Sequence, residues 1–483
     1  MRPLHRLHPT LASLALAAVL ALTNARYDYH RDELYFLMLE PAWGYVDQGP
    51  LTPLLGHLSI AAFGNTLWAF RFPSILCLVG VLWLAALITR ELGGGKAAQA
   101  LCVWGLAFAG VALAFGHTLA TATVDLVVWT AVLLFAIRAL MRDPRWWLAV
   151  GAVAGVGLYN KHLVVLLFLG LGAALLAAGP RQALASKWLW AGAALALVIG
   201  SPNLVYQATH GWPQLEMATA IRETDGEENR ILLLPFQFLL LGVFLVPVWF
   251  AGIWGLVRRP EWRPVRALAV AYPVLLAVVL ATGGQFYYTM GLVVAFYAIG
   301  CVPAAAWARG SARRGLLVGA VALNTAASAV VALPLIPVAA IGDTPVPAMN
   351  STVPDQIGWQ SYARQVEAVF ASLPPEEAAH TVTITANYGE AGALDRYATQ
   401  SGPVYSGHNE LHAYGPPPET ATTVITVGLP LERVAGFFEE CTAVGELDNH
   451  VGVDNEEQGA TIGVCRGPDR PWSELWPEFQ HYS

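Results

Sequence analysis

The chain has 483 residues, of which 56% are hydrophobic and 13% are charged, and its formal net charge is −7. A soluble globule of this length could not bury so much apolar side chain, so the composition predicts a membrane protein. No basic patch favours nucleic acid as a partner. Residues 341–483 hold 20 of the 34 acidic residues, which predicts an aqueous C-terminal domain after a membrane region.

Apolar stretches long enough to cross the hydrocarbon layer recur along the first 340 residues. The stretch after Arg2 and Arg6 could also be a signal peptide, but the many later stretches favour a retained anchor. The apolar stretches on either side of Asn160 are short enough to be kinked or re-entrant. We predict about eleven spans, near 9–25, 70–90, 97–116, 124–141, 146–160, 162–179, 188–206, 231–257, 265–282, 287–308 and 315–340.

The basic residues are distributed unequally between the two sides of these spans. With a cytoplasmic N-terminus, the inner loops carry 16 of the 27 Lys and Arg residues, against 6 at outer positions of the membrane region. The positive-inside rule then predicts a multi-pass plasma (inner) membrane protein with an extracytoplasmic C-terminal domain. Polar residues gather on the outer side, where we expect the chemistry: 26–57, 117–125, 160–162, 201–230 and 283–289.

The sequence predicts three regions: a membrane region 1–340 with the outer loop 26–57, a Pro-rich linker 341–356, and a small soluble α/β domain 357–483. Cys441 and Cys465 in this domain could form a disulfide if it is exported. The patterns in it predict strands at 380–386 and 460–465 and helices at 357–372, 389–398 and 431–441.

Two polar segments follow the first span. Residues 27–35 (Tyr-Asp-Tyr-His-Arg-Asp-Glu-Leu-Tyr) combine three carboxylates, two cationic or titratable bases and several aromatic rings, and residues 43–53 lie in the same loop. Sugar transfer needs a carboxylate base near the acceptor and a cation beside the departing phosphate, so these segments suit that reaction. A solvated loop without a chemical role is the alternative.

These segments carry a resemblance. Asp32-Glu33, then Gly44-Tyr-x-Asp47-x-x-Pro-Leu51, then Arg71-Phe-Pro-Ser, resemble the bacterial branch of the protein O-mannosyltransferase and aminoarabinose transferase superfamily, which are GT-C enzymes using polyprenyl-phosphate sugars. Segments 157–162, 201–213, 387–394 and 405–409 are similar to the same branch. The resemblance implies a polytopic α-helical GT-C fold with a small C-terminal α/β domain, and inverting sugar transfer from a lipid carrier.

The resemblance also implies site residues. By position, Asp32 matches the acidic residue to which the family assigns the catalytic role, and Glu33 lies beside it. Many members have a basic residue where this chain has Gln48, so another cation would have to hold the donor phosphate. We expect substrate binding from Arg31, Asp47, Asp125, Lys161, Arg222, Tyr287 and Tyr288.

Structural roles are the alternatives for most of these residues. Glu33 could be a helix-terminal carboxylate, Asp47 a turn cap, and Asp125 a helix N-terminal acid. Lys161 could snorkel to the interface, and the tyrosine pair could belong to an aromatic belt.

The expected partners are a polyprenyl-phosphate sugar, membrane lipids, and a protein, lipid or polysaccharide acceptor. No nucleotide is needed, and a divalent metal ion assisting phosphate departure is left open. A secondary transporter and a non-catalytic envelope scaffold are alternative functions. The gathering of polar residues on one face and the absence of an internal repeat favour the enzyme over the transporter.

Overall fold

A computed structural model describes residues 2–482 and is mostly helical. The α-helices are α1 (Leu7–Thr23), α2 (Arg31–Met38), α3 (Leu51–Phe63), α4 (Leu67–Glu91), α5 (Lys96–Ala107), α6 (Gly110–His117), α7 (Thr121–Met141), α8 (Trp146–Gly157), α9 (Leu163–Ala178), α10 (Lys187–Thr209), α11 (Pro213–Thr224), α12 (Gly226–Leu239), α13 (Val246–Arg258), α14 (Ala267–Thr282), α15 (Met290–Trp307), α16 (Ser311–Ala332), α17 (Val338–Ile341), α18 (Val346–Met349), α19 (Trp359–Ser372), α20 (Pro375–Ala378), α21 (Tyr388–Tyr397), α22 (Leu431–Val434) and α23 (Trp472–Leu475).

Short 3-10 helices and a sheet complete the described chain. The 3-10 helices are Arg181–Ala185, Val243–Leu245, Pro260–Val265, Pro354–Gln356, Asn409–Tyr414, Ala435–Phe437 and Trp476–Phe479. The strands are β1 (Thr381–Thr385), β2 (Val404–Ser406), β3 (Thr423–Val427), β4 (Phe438–Glu446) and β5 (Thr461–Pro468).

The chain forms two compact units. The helical unit contains the chain up to Asn24 and Ala42–Leu333, and the mixed unit contains Ala25–Pro41 and the chain from Pro334 onward. This division differs from the predicted one, which kept the whole loop 26–57 with the membrane region. Half of that loop, including Asp32, folds with the C-terminal domain.

Helix α15 forms the centre of the helical unit. All its residues from Met290 to Cys301 are buried, and it packs against α4, α5, α7 and α13. Helix α16 has the opposite pattern, because Asn324 and Ser328 are buried whereas Leu316 and Val318 are 68% and 62% exposed. A polar face turned inward and an apolar face turned outward is typical of a helix in lipid.

Five helices are long and apolar enough to cross a membrane, namely α4, α7, α10, α15 and α16. The bent pairs α5–α6 and α12–α13 raise this number to seven if each pair is one span. Shorter apolar helices of 10–17 residues occupy the remaining predicted stretches, and α3 is a further one that the sequence did not predict. The chain is therefore multi-pass, and the count of eleven spans stays a prediction.

The mixed unit is built on a five-stranded sheet of order β2-β1-β3-β5-β4. Strand β1 is parallel to β2 and β3, whereas β5 is antiparallel to β3 and β4. Buried Ile384, Val424, Cys465 and Trp472 contribute to its core. The strands predicted at 380–386 and 460–465 and the helices predicted at 357–372 and 389–398 are confirmed as β1, β5, α19 and α21.

The helix predicted at 431–441 is wrong. It stops after Val434, and β4 begins at Phe438. Cys441 lies directly opposite Cys465 in the β4–β5 ladder, and the two form a disulfide. Pairing with β5 therefore overrides the helical spacing of apolar residues in this segment.

Candidate active site

A loop before α3 is hydrogen-bonded to the turn between α8 and α9. The Gly49 N–H donates to the Asn160 carbonyl (3.0 Å), and the Leu51 N–H donates to the Tyr159 carbonyl (2.8 Å). A side chain at Gly49 would overlap the Tyr159 carbonyl, so this approach requires glycine. The pairing holds the Asp47 loop beside the turn that carries Lys161.

Asn160 links the same turn to the start of α7. Its side-chain nitrogen donates to the Thr121 carbonyl and to Asp125 Oδ1, each over 2.9 Å, and its Oδ1 accepts from the Thr52 hydroxyl. Asp125 is 2% exposed, and its Oδ2 has no hydrogen-bond partner within residues 2–482. Lys161 acts electrostatically on this carboxyl group. A buried acid is thus held by an amide beside a cation.

The turn before α15 adds aromatic rings. Lys161 Nζ lies 5.5 Å from the centroid of the Tyr288 ring, and the Tyr287 and Tyr288 rings meet edge to face at 5.5 Å. Buried Gln237 fixes this turn by donating to the Phe286 carbonyl over 3.0 Å. We call Asp47, Asp125, Asn160, Lys161 and Tyr288 the Lys161 cluster.

The predicted residue Arg222 does not join this cluster. It is exposed near the end of α11, and no contact links it to Lys161 in the described part of the chain. The neighbouring Asp225 accepts from Gln285 over 3.4 Å, so the following residues do approach the turn before α15.

An apolar cavity of about 460 Å³ lies between α8, α9 and α10. Its lining includes Val150 and Ala154 of α8 and Phe168 of α9. Leu158 and Val164, which also line it, lie three residues before and three residues after Lys161 in the sequence. The cavity therefore reaches the two residues that flank the turn, although Lys161 itself is not among its lining residues.

In the mixed unit, helix α2 carries Asp32 in its first turn. His30 caps the helix, because its Nδ1 accepts from the Asp32 N–H (3.1 Å) and Glu33 Oε2 accepts from the His30 N–H (2.8 Å). Glu33 is fully buried, and this capping box is the structural role anticipated as its alternative. Asp32 is only half-buried.

Tyr388, at the start of α21, contacts both Asp32 and Arg31. Its hydroxyl donates to Asp32 Oδ1 (2.9 Å), and the Arg31 guanidinium lies 5.0 Å from its ring centroid. Arg31 also pairs with Glu456 over 2.6 Å. We call Arg31, Asp32, Glu33 and Tyr388 the Asp32 cluster.

Buried acids surround this cluster. Glu457 is 1% exposed and accepts from the Asn387 side chain (3.1 Å). Its burial raises its pKa to about 7, with Asp355 and Glu456 adding to the effect. Burial also raises the pKa of Glu390, which caps α21. No group of three or more His, Cys, Asp or Glu residues within residues 2–482 could hold a metal ion, so the divalent ion gains no support.

Comparisons with known proteins bear on both units. Residues 47–206, which include Asp47, Asp125 and Lys161, match the family model of dolichyl-phosphate-mannose-protein mannosyltransferases. Comparison with curated proteins finds no relative by sequence.

Solved structures with the same fold are glycosyltransferases. ArnT from Cupriavidus metallidurans, solved with undecaprenyl phosphate bound, has a TM-score of 0.58 at 14% identity and covers 94% of this chain and 97% of its own. The Archaeoglobus fulgidus oligosaccharyltransferase in its apo form has a TM-score of 0.50 at 12% identity, covering 82% of this chain and 64% of its own. The chain therefore has the fold of GT-C glycosyltransferases.

A third GT-C relative extends the comparison. A variant of the mycobacterial arabinofuranosyltransferase AftD has a TM-score of 0.50 at 14% identity, covering 97% of this chain and 42% of its own. At these identities the neighbours establish the GT-C fold, and together with the family match over residues 47–206 they support the superfamily predicted from the sequence.

Sequence reasoning gave no role to two residues that organise these clusters. Asn160 stands beside Lys161 in segment 157–162, and its position between two short apolar stretches was the signal that could have singled it out. Tyr388 stands in segment 387–394, but its contact with Asp32 joins residues that are 356 positions apart in the sequence.

Proposed function

We propose that this GT-C chain is a membrane glycosyltransferase that moves a sugar from a polyprenyl-phosphate donor to an extracytoplasmic protein, lipid or envelope glycan. The observation that carries the proposal is Lys161, a cation in the turn between two residues that line an apolar cavity. A phosphate attached to a long hydrocarbon tail matches that pairing, and the cavity volume lies within the range of about 300–1,000 Å³ for ligand pockets.

Lys161 is the best supported of the three cations considered for the donor phosphate. Its turn is flanked by two residues that line the apolar cavity, whereas Arg222 is exposed without a contact to the Lys161 cluster in the described chain. Asp47, Tyr287 and Tyr288 would then bind the sugar or orient the phosphate.

Asp32 is the proposed general base. It takes the proton of an acceptor hydroxyl or amine while the acceptor atom forms its bond to the anomeric carbon. The bond from that carbon to the phosphate oxygen breaks, and the polyprenyl phosphate leaves with the electron pair and its negative charge. Attack opposite the leaving group inverts the anomeric centre, and Lys161 stabilises the charge on the phosphate.

The proposed orientation has eleven spans in the plasma membrane, a cytoplasmic N-terminus and an extracytoplasmic mixed unit. The distribution of Lys and Arg supports it. The Cys441–Cys465 disulfide also supports it, because disulfides persist in oxidising compartments.

The experiment that tests the donor class measures binding of undecaprenyl phosphate to the purified full chain by native mass spectrometry. We expect Lys161→Met to weaken binding about tenfold or more, because the phosphate loses its cation. Lys96→Met, which removes an exposed charge at the start of α5, is the control. Equal binding by wild type and Lys161→Met would contradict the phosphate role.

Transfer itself is tested with undecaprenyl phosphate carrying radiolabelled hexoses or pentoses in proteoliposomes. A strain lacking the protein, complemented with wild type or Asp32→Asn, is profiled for envelope glycans and glycoproteins. We expect wild type alone to restore a lost glycan. Full restoration of the glycan by Asp32→Asn would refute the base assignment. In the proteoliposomes, counterflow of the labelled substrate without sugar transfer would indicate a transporter.

A further inference from the structure

We propose that Tyr388 is a positioning residue for Asp32, so that the C-terminal part of the chain orients the base of the reaction. The inference rests on the proposed function of Asp32 and goes beyond it, because it gives the mixed unit a catalytic purpose. It stands on a hydrogen bond of 2.9 Å from the Tyr388 hydroxyl to Asp32 Oδ1.

The ring of Tyr388 is held by stacking. Tyr35 stacks on it with centroids 4.6 Å apart and planes 27° apart, and His408 stacks on it at 4.6 Å and 23°. The Tyr388 N–H also donates to His408 Nδ1 (3.2 Å). With ring and backbone both fixed, the hydroxyl has a defined direction toward the carboxylate.

The last residues of the described chain support this stack. His481 lies 4.8 Å from His408 with nearly parallel rings, and its N–H donates to the Gly407 carbonyl (3.1 Å). Its carbonyl accepts from the Asn409 N–H over 3.0 Å. The stack thus continues from α2 through α21 to the C-terminal segment.

Close packing of α2 on α21 sets the distance between Asp32 and Tyr388. A Cβ built on Gly392 would lie 2.7 Å from Leu34 Cβ, and one built on Gly389 would lie 3.0 Å from Arg31 Cβ. Small residues at these two positions let the helices approach closely, which is why a tyrosine on α21 reaches an acid on α2.

The structure contains a matched contact that separates positioning from anchoring. At the other end of α21, the Tyr397 hydroxyl donates to Asp28 Oδ1, in the same segment that carries Asp32. Both tyrosines therefore tie one segment to one helix by the same chemistry. Only Tyr388 does so through the proposed base.

The consequence for the reaction is directional. A hydroxyl on one carboxylate oxygen restricts rotation of the Asp32 side chain, so the other oxygen takes the acceptor proton. Removing the Tyr388 hydroxyl leaves the Asp32 carboxylate chemically intact but no longer held in one orientation. The rate of the chemical step then falls while donor binding is unchanged.

The test compares Tyr388→Phe with Tyr397→Phe in the full chain, using the radiolabelled undecaprenyl-phosphate sugar that wild type turns over. We expect Tyr388→Phe to lower kcat about tenfold with unchanged donor KM and unchanged binding of undecaprenyl phosphate, and Tyr397→Phe to keep a near wild-type kcat. A second variant, His481→Ala, loosens the stack without touching Asp32 and should lower kcat about threefold. Thermal unfolding of each variant verifies that it is folded.

The possible results are distinct. Equal losses of kcat in Tyr388→Phe and Tyr397→Phe would show that the Tyr388 contact only anchors the segment, and would overturn the inference. An unchanged kcat in Tyr388→Phe would overturn it as well. Wild type without transfer from any donor would overturn the proposed function and the inference with it. If wild type is active and Tyr388→Phe keeps the wild-type kcat, the inference alone is overturned and the proposed function stands.

Discussion

The Asn160 side-chain amide donates a hydrogen bond of 2.9 Å to Asp125 Oδ1 and joins the start of α7 to the turn after α8. The second carboxylate oxygen of Asp125 is buried without a hydrogen-bond partner within residues 2–482. A buried carboxyl group is costly without a partner, so the Asn160 hydrogen bond and the nearby Lys161 charge together stabilise it.

We predict that Asn160→Ala destabilises the helical unit by about 1–3 kcal/mol, because it leaves Asp125 with no amide donor. The double variant Asn160→Ala/Asp125→Asn should lose less stability than the sum of the losses in the two single variants, because it no longer contains the unpaired charge. Thermal unfolding in detergent of the wild type, both single variants and the double variant measures this coupling.

Asn229→Ala is the control for this cycle, because the side chain of buried Asn229 donates to the uncharged Gly283 carbonyl (3.2 Å) and not to an acid. We expect a smaller loss there. Strict additivity of the Asn160 and Asp125 changes would mean that the contact carries little energy.

The second prediction concerns the pH dependence of the mixed unit. Burial raises the pKa of Glu457 to about 7 from 4.5, against the lowering effect of Arg31. Between these values the folded chain keeps a proton on Glu457 that the unfolded chain releases, so the contribution of Glu457 to stability falls as pH rises from about 4.5 to 7 and is constant above that. A pKa difference of this size corresponds to about 3 kcal/mol of stability lost across that range.

Glu457→Gln should therefore reduce the fall in melting temperature between pH 5 and 8. The fall that is left comes from Glu390, because burial raises its pKa as well. Melting curves across that range measure it, with exposed Glu446→Gln as the control. A wild-type slope that survives in Glu457→Gln would show that this carboxyl does not titrate in the window.

The third prediction tests the close contact of α2 with α21. Gly392→Ala should destabilise the mixed unit by about 1–3 kcal/mol, although alanine favours helix, because the new methyl group meets the Leu34 backbone at 2.8 Å. Thermal unfolding measures the change. Gly436→Ala, where a Cβ meets no atom within 4 Å, is the control and should be nearly neutral. A neutral Gly392→Ala would indicate that the helices can separate.

The fourth prediction concerns the disulfide between β4 and β5. Replacing Cys441 and Cys465 together by serine should cost about 2–4 kcal/mol, since the bond closes a loop of 24 residues. In cells, maleimide labelling of this pair should require prior reduction, whereas free Cys77 should react without reduction once the protein is unfolded. Labelling of the pair without reductant would argue against an oxidising location.

The apolar stretches predicted the helices of the membrane region well, because about 20 consecutive apolar residues leave the backbone few alternatives. Helix α3 escaped prediction since Pro53, Gly56 and His57 interrupt its 13 residues.

The C-terminal domain shows the limit of local patterns. Leu431, Val434 and Phe438 recur at helical spacing, yet the strand begins at Phe438 because β5 supplies partners across the disulfide. The contact between Asp32 and Tyr388 was also beyond sequence reasoning, since no local rule links residues 356 positions apart.

The assignment of Ala25–Pro41 to the mixed unit has a practical consequence for anyone wishing to express that unit by itself. A truncated protein beginning after the last long helix would lack α2, and the surface of α21 that Leu34 and Tyr35 cover would be open to water. Solubility would suffer accordingly. A chimaera that splices residues 25–41 ahead of residue 334 through a flexible tether restores the missing helix and offers a tractable sample for crystallisation.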